Sequence, residues 1–154
     1  MERRDIIFYF GDSTTNRIRL FQDALSCAKF GKVLFILYEE IQELPQLSQD
    51  FSLISKQYMK MISFVYAKTI NSLLGILSSL HEWQNIPSTI ILDDITKFCC
   101  KEEIQKACGI VAFIIDTVRN CSRVSNLQCK LRISIDEEAG DDFYNNLREV
   151  HCVL

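Results

Sequence analysis

The segment Gly11-Asp12-Ser13-Thr14-Thr15-Asn16-Arg17-Ile18 follows the apolar run Ile6-Ile7-Phe8-Tyr9-Phe10 and leads into a helix-period pattern. Strand, glycine turn and helix form the frame in which nucleotide-binding α/β domains cradle phosphates, through the spacing G-x-x-x-x-G-K-S/T. The glycines let consecutive backbone N–H groups curl around the phosphates at a helix N-terminus. The lysine reaches the terminal phosphates, and the Ser/Thr hydroxyl holds Mg²⁺. Gly11 occupies the first position of that frame. Asn16 stands at the second glycine, Arg17 at the lysine and Ile18 at the Ser/Thr. Arg17 carries charge, but its planar fork does not replace a compact ammonium. Ile18 cannot ligate magnesium. Asp12 brings a negative charge to the place a phosphate would sit. The competing reading is a plain strand-to-helix turn capped by Asp12, Ser13 or Thr14.

A second constellation is Ile90-Ile91-Leu92-Asp93-Asp94, an apolar strand ending in acids. In nucleoside triphosphatases a strand-end aspartate holds Mg²⁺, so Asp93 or Asp94 is the candidate metal-associated acid. Ligand sites of open α/β sheets lie at the carboxyl ends of strands, where Gly11 and Asp93 would converge if their strands were neighbours. The alternative is a solvated strand end or a helix-entry cap. Elsewhere the chemistry thins. Cys99, Cys100 and Cys108 have no common zinc spacing and read as core or partly buried thiols. His81 and His151 have no partner legible in sequence. Arg3, Arg4, Arg17, Arg19, Lys29 and Lys32 cluster in sequence; Arg17, Arg19, Lys29 and Lys32 are the candidate DNA contacts, against a reading as ordinary solvated charge.

The elements that must position these residues alternate. Asp5 to Phe10 reads as a central parallel strand buried on both faces. Ile18, Phe21, Leu25 and Ala28 give one face of a helix over residues 15–30, with Gly31 placed to stop it in a left-handed conformation. Lys32 to Leu37 is a second strand. Residues 38–56, with Pro45 and the polar run Gln46 to Asp50, read as a loop with at most one helical turn. Met59 to Tyr66 reads as a strand and Lys68 to Trp83 as a helix, with Pro87 beyond it. Ser88 to Asp94 is a strand. Residues 101–121 form the helix with the cleanest apolar period, Cys129 to Ile135 a strand, and Asp141 to Arg148 a short helix before an apolar stub at 150–154. This order predicts a three-layer α/β fold with a mainly parallel sheet in a single domain over residues 1–154.

Composition sets further bounds. The 154 residues are 48% hydrophobic and 24% charged, with a net charge of −3. Such a balance excludes wholesale disorder and argues against binding nucleic acid alone by phosphate neutralisation. Met1-Glu2-Arg3-Arg4-Asp5 has no secretory apolar region, and no run reaches the ~18 apolar residues of a membrane span, so no membrane partner is expected. His151-Cys152-Val153-Leu154 places its cysteine one residue short of a prenylation box. Seven scattered cysteines suit reduced thiols of a cytosolic or nuclear protein.

The degraded phosphate loop is followed in order by Val33-Leu34-Phe35-Ile36, Glu40-Ile41-Gln42-Glu43-Leu44-Pro45 and Ser79-Leu80-His81-Glu82. Ile90 to Asp94, Ile114-Ile115-Asp116-Thr117 and Glu137-Glu138-Ala139-Gly140 complete the series. Over nearly its whole length the chain resembles the small RecA-like recombinase paralogues that partner a SWIM-domain zinc-finger protein in the Shu complex. The resemblance implies a RecA-like, phosphate-loop ATPase-type core without the N-terminal domain of a full recombinase. It implies a nuclear subunit that binds the SWIM-domain protein, associates with a recombinase or its paralogues, and promotes or stabilises recombinase filaments on single-stranded DNA during homologous recombination repair. DNA contact would be direct or through the complex. The family's phosphate loop maps onto Gly11, Asp12, Ser13, Thr14, Thr15, Asn16, Arg17 and Ile18, and its magnesium acid onto Asp93. Departures at Asn16, Arg17 and Ile18 imply a non-catalytic subunit with no resident cofactor, ATP and Mg²⁺ being doubtful ligands. Leu154 comes early for such a core, so the sheet is expected to lack terminal strands and to expose an edge to a partner. The rival readings are a weak ATPase of the same fold and an α/β scaffold unrelated to DNA.

Overall fold

A computed structural model describes residues 5–45 and 56–153. Five strands form one all-parallel sheet: β1 (Ile6–Gly11), β2 (Val33–Leu37), β3 (Ile62–Tyr66), β4 (Thr89–Leu92) and β5 (Lys130–Asp136), in the order β1-β5-β4-β2-β3. Among the described residues the longer helices that cover it are α1 (Ser13–Ala28), α2 (Ile70–Ser79), α3 (Ile104–Ser125) and α4 (Asp141–Val153). Alternation along the strands separates two cores. Val33, Phe35, Leu37 and Ile91 pack under α1 with Leu20, Phe21, Ala24 and Leu25. Leu34, Ile36, Ile90, Leu92, Leu131 and Ile133 face the layer built from α2, α3 and α4. A sheet covered on both faces buries both sides of its inner strands, as the fully buried β2 and β4 show.

β1 departs from its expected central place. It pairs with β5 alone among the described residues and lies at one edge of the sheet, only Ile6 of its six residues being buried. An apolar run reports that both faces are covered; it does not report whether both hydrogen-bonding edges are occupied. β5 lies between β1 and β4, so the Gly11 and Asp93 strands are not neighbours.

Element ends shift for local reasons. Thr69 caps α2, its hydroxyl oxygen accepting from the Ser72 N–H at 3.0 Å, so α2 starts at Ile70 and ends in a 3-10 turn at Leu80–Glu82. α1 ends at Ala28, before Gly31, whose φ of 159° is extended rather than left-handed. A Cβ there would lie 2.5 Å from Ser88 Oγ, so that side chain would have to shift to admit one. Residues 56–59 are helical and β3 begins only at Ile62, while 46–55, including most of the polar run, lie outside the described residues. α3 runs on to Ser125 and stops where Asn126 turns left-handed at φ 57°. α4 absorbs the start of the expected apolar stub, because Val150 continues its packing against the core.

Candidate functional site

The site lies where α1 leaves the C-terminal end of β1. Helical winding begins at Ser13, two residues after Gly11, so no open loop precedes it. Asp12 is the N-cap: its carboxylate accepts from the Thr15 N–H at 2.8 Å and the Thr15 hydroxyl at 2.7 Å. The Thr15 N–H and then the Thr15 hydroxyl hold the Asp12 carboxyl below the usual carboxylate range. A donor that a phosphate would require is thereby taken by the chain's own anion, at the positive end of the helix.

Asn16, at the second glycine position, is 1% exposed. Its amide Nδ2 donates to the carbonyls of Gly11, at 3.0 Å, and Ile135, at 3.1 Å, stitching the ends of β1 and β5 to the helix. Its Oδ1 has no hydrogen-bond partner among the described residues and would stand 3.2 Å from a Cβ on Gly11. The side chain fills the space a phosphate loop keeps open. Gly11 leaves room for Asn16, not for a ligand.

Arg17 turns across the mouth of the site to Asp93, Nε to Oδ2 at 2.8 Å. The two strands need not be adjacent, because the long arginine spans the intervening β5. That strand contributes Ser134, whose hydroxyl donates to Asp93 Oδ1 at 3.3 Å and accepts from the Asp94 N–H at 2.6 Å. Asp93 is 5% exposed, and its burial pushes its carboxyl up against the opposing pull of Arg17. It is not a solvated strand end. Asp94 is the helix-entry cap: left-handed at φ 67°, it accepts from the Thr96 N–H at 3.0 Å and from the Thr96 hydroxyl. The residues do not fit Mg²⁺-ATP. Both oxygens of Asp93 are engaged, the cation at the lysine position neutralises the acid that would hold magnesium, and the N-terminal turn of α1 is capped internally.

Above this closed turn a cleft of about 540 Å³ is lined by Ser13, Thr14, Arg17, Ile18 and Lys97 with the acids Glu39, Glu43, Asp93 and Asp94. Acids outnumber bases, and one base is already paired, so the cleft repels a polyphosphate.

The other candidate contacts do not converge. Arg17 and Lys29 sit at opposite ends of α1, ~18 Å apart along its axis. The Arg19 guanidinium lies 5.8 Å over the Tyr9 ring and Lys29 Nζ lies 5.9 Å over Tyr58. Lys32 is exposed beyond the helix, and Arg3 and Arg4 lie outside the described residues. Among the thiols, Cys99 is buried and Cys100 is exposed, where it bonds Glu103 at 3.0 Å. No helix among the described residues is long and apolar enough to cross a membrane.

Two polar groups of β5 escaped sequence reasoning. Besides Ser134, Arg132 is 7% exposed and pairs with Asp23 of α1, Nε to Oδ2 at 3.1 Å, while its Nη1 donates to the carbonyls of Asp5 and Leu131. Tyr9 donates its phenolic O–H to the same Asp23 oxygen. Burial, then that bond to Asp23, pushes the Tyr9 hydroxyl up to about 12. The available signal was a polar residue inside each apolar pair, Leu131-Arg132-Ile133 and Ile133-Ser134-Ile135.

No protein-family model matches the sequence, and no curated protein matches it. Solved structures do. The flagellar accessory protein FlaH from Methanocaldococcus jannaschii is similar at a TM-score of 0.50 and 16% identity, over 95% of this chain and 67% of that one. A second solved structure, itself an ATPase domain, is similar at 0.48 and 11% identity, over 97% of this chain and 65% of that one. The chain thus spans about two thirds of the length of these structures. The fold is the RecA-like α/β fold.

Proposed function

We propose that this chain is a non-catalytic RecA-like subunit of a recombination mediator complex, promoting or stabilising recombinase filaments on single-stranded DNA. One observation carries the non-catalytic part. The Arg17–Asp93 pair joins the two positions where a nucleotide site needs a free cation and a free magnesium acid. Helical winding from Ser13 and the buried Asn16 amide support the same reading. The recombination part rests on the sequence resemblance, which supplies the partners: a SWIM-domain zinc-finger protein, and a recombinase or its paralogues, in the nucleus. Because Arg17, Arg19, Lys29 and Lys32 are dispersed and the net charge is −3, DNA is reached through the complex rather than by this chain alone.

Titration calorimetry with ATP and Mg²⁺ tests the first part. No micromolar binding and no turnover are expected; micromolar binding with hydrolysis that Asp93→Ala abolishes would establish the weak-ATPase reading instead. Mass spectrometry of a tagged pull-down tests the second part and should recover a SWIM-domain protein and a recombinase. Recovery of neither, together with no salt-dependent affinity of the purified assembly for single-stranded DNA, leaves a scaffold of some other complex.

A further inference from the structure

We infer that the end of the sheet where the strands begin contacts single-stranded DNA, with the Phe30 ring as a stacking platform among lysines. This inference rests on the reading above for the identity of the nucleic acid; the polyanion and the unpaired base are read from the face itself. The net charge of −3 is an average over two unlike ends. Residues 26–32, 56–61, 83–88 and 122–129, which lead into β2, β3, β4 and β5, contain no Asp or Glu. They carry Lys29, Lys32, Lys56, Lys60 and Arg123, and β5 itself opens on Lys130. The segments that leave the strands are the reverse. They hold Glu39, Glu40, Glu43, Asp93, Asp94 and the acidic run 136–142, against Lys68, Lys97 and Lys101. A polyanion is repelled at the cleft and attracted to the opposite end.

Three of these lysines gather around one ring. The Ser88 N–H donates to the Lys32 carbonyl at 2.9 Å, and the Lys130 N–H donates to the Ser88 carbonyl at 2.9 Å. Lys32 and Lys130 therefore stand on either side of the start of β4. Lys130 Nζ lies 5.6 Å over the Phe30 ring, and Lys29 and Lys32 flank Phe30 in the turn between α1 and β2. None of the three pairs with a carboxylate among the described residues. The acids at this end, among those residues, are Asp5 and Glu82. Asp5 is buried and accepts from Gln128, and Glu82 lies 3.7 Å from His81. Phe30 is 79% exposed, more than any other large apolar side chain among the described residues. Phosphates answer the ammoniums, and an unpaired base answers the ring. A duplex keeps its base faces stacked away from such a platform. Three ammoniums make too few contacts for tight binding at ordinary salt, so the complex completes what this chain begins.

Fluorescence anisotropy of a labelled oligothymidine with the full chain, at about 50 mM salt, is the test. Three phosphate contacts predict a slope of log affinity against log salt of about −2. Lys32→Glu with Lys130→Glu should weaken binding more than about tenfold and flatten that slope, with an unchanged circular dichroism spectrum. Phe30→Ala should weaken it about fivefold or more and leave the slope unchanged, because stacking releases no counterions. Lys97→Glu with Lys101→Glu, at the opposite end, should change affinity by less than about twofold. No binding by the full chain overturns the inference. So does a duplex bound as tightly as the single strand, or an affinity indifferent to the lysine and phenylalanine variants. Displacement by polyglutamate as readily as by unlabelled oligothymidine would assign the face to an acidic protein and overturn it too. The purified assembly separates this failure from that of the reading above. If the assembly binds the single strand and these variants leave its affinity unchanged, the inference falls and the reading stands. If the assembly binds no single strand, the reading itself fails and takes the inference with it.

Discussion

Two arginine–aspartate pairs tie α1 to the sheet, and they are built in opposite senses. At the cleft, the helix supplies Arg17 and the strand end supplies Asp93. In the interior, β5 supplies Arg132 and the helix supplies Asp23. In the first pair the acid is buried, 5% exposed, against a side chain 42% exposed at Arg17; in the second the base is buried at 8%, against 27% at Asp23. The buried member decides what its partner's loss costs. A carboxylate stranded in the interior escapes by taking up a proton. A guanidinium has no such escape, because it does not lose its proton in proteins. The interior pair is therefore obligatory, while the cleft pair is conditional on pH.

The largest expected effect is at the interior pair. Asp23→Ala strands the Arg132 charge and removes the Tyr9 acceptor, and should cost about 3–4 kcal/mol. Urea unfolding at several pH values should show that cost nearly constant from about pH 5 to about pH 8. A cost that fades with pH would break the contrast.

Arg17→Met should cost about 1–3 kcal/mol near pH 7, because Asp93 is left buried beside Ser134 alone and Arg17 was partly screened by water. The sign of its pH dependence follows from Asp93. Its folded carboxyl lies above its ordinary value of 3.8, so between the two values the unfolded chain has released a proton the folded chain still holds. Stability falls as pH rises through that window. Removing Arg17 moves the upper end of the window higher, so the penalty of Arg17→Met should shrink on acidification. A penalty unchanged from neutral pH to pH ~4 would show that Asp93 does not control it.

Asn16→Ala deletes two buried hydrogen bonds, to the carbonyls of Gly11 and Ile135, which should cost about 1–2 kcal/mol. The same variant sharpens the account of the closed site: nucleotide binding should remain absent, since the Asp12 cap and the Arg17–Asp93 pair persist. Calorimetric binding of ATP by this variant would make the Asn16 side chain the sole obstruction.

The smallest effect is at Tyr9. Tyr9→Phe should cost about 1 kcal/mol near neutral pH. Its diagnostic lies at alkaline pH. With the folded hydroxyl at about 12 and its ordinary value at 10.0, the unfolded chain ionises first and wild-type stability falls as pH rises above 10.0. The phenylalanine variant lacks that group and should lose less stability over the same range.

Residue types and periods determined most of the architecture. The buried runs of β2 and β4, the stripe of α3 and the glycine turn after β1 are local patterns, and local patterns specify elements. The missing lysine and magnesium ligand are also properties of sequence, since Arg17 and Ile18 lack those chemistries in any fold. Three things belonged to tertiary structure. The edge position of β1 was not legible, because an apolar strand looks the same whether or not its backbone edge is occupied. The role of Asn16 was not legible either: its amide reaches the carbonyl of Ile135, and only sheet order brings β5 beside β1. Last, the closure of the turn after β1 required Arg17 to find Asp93 across 76 residues of chain and over an intervening strand. The sequence could remove the letters of a nucleotide site; only the folded chain could put its own side chains in their place.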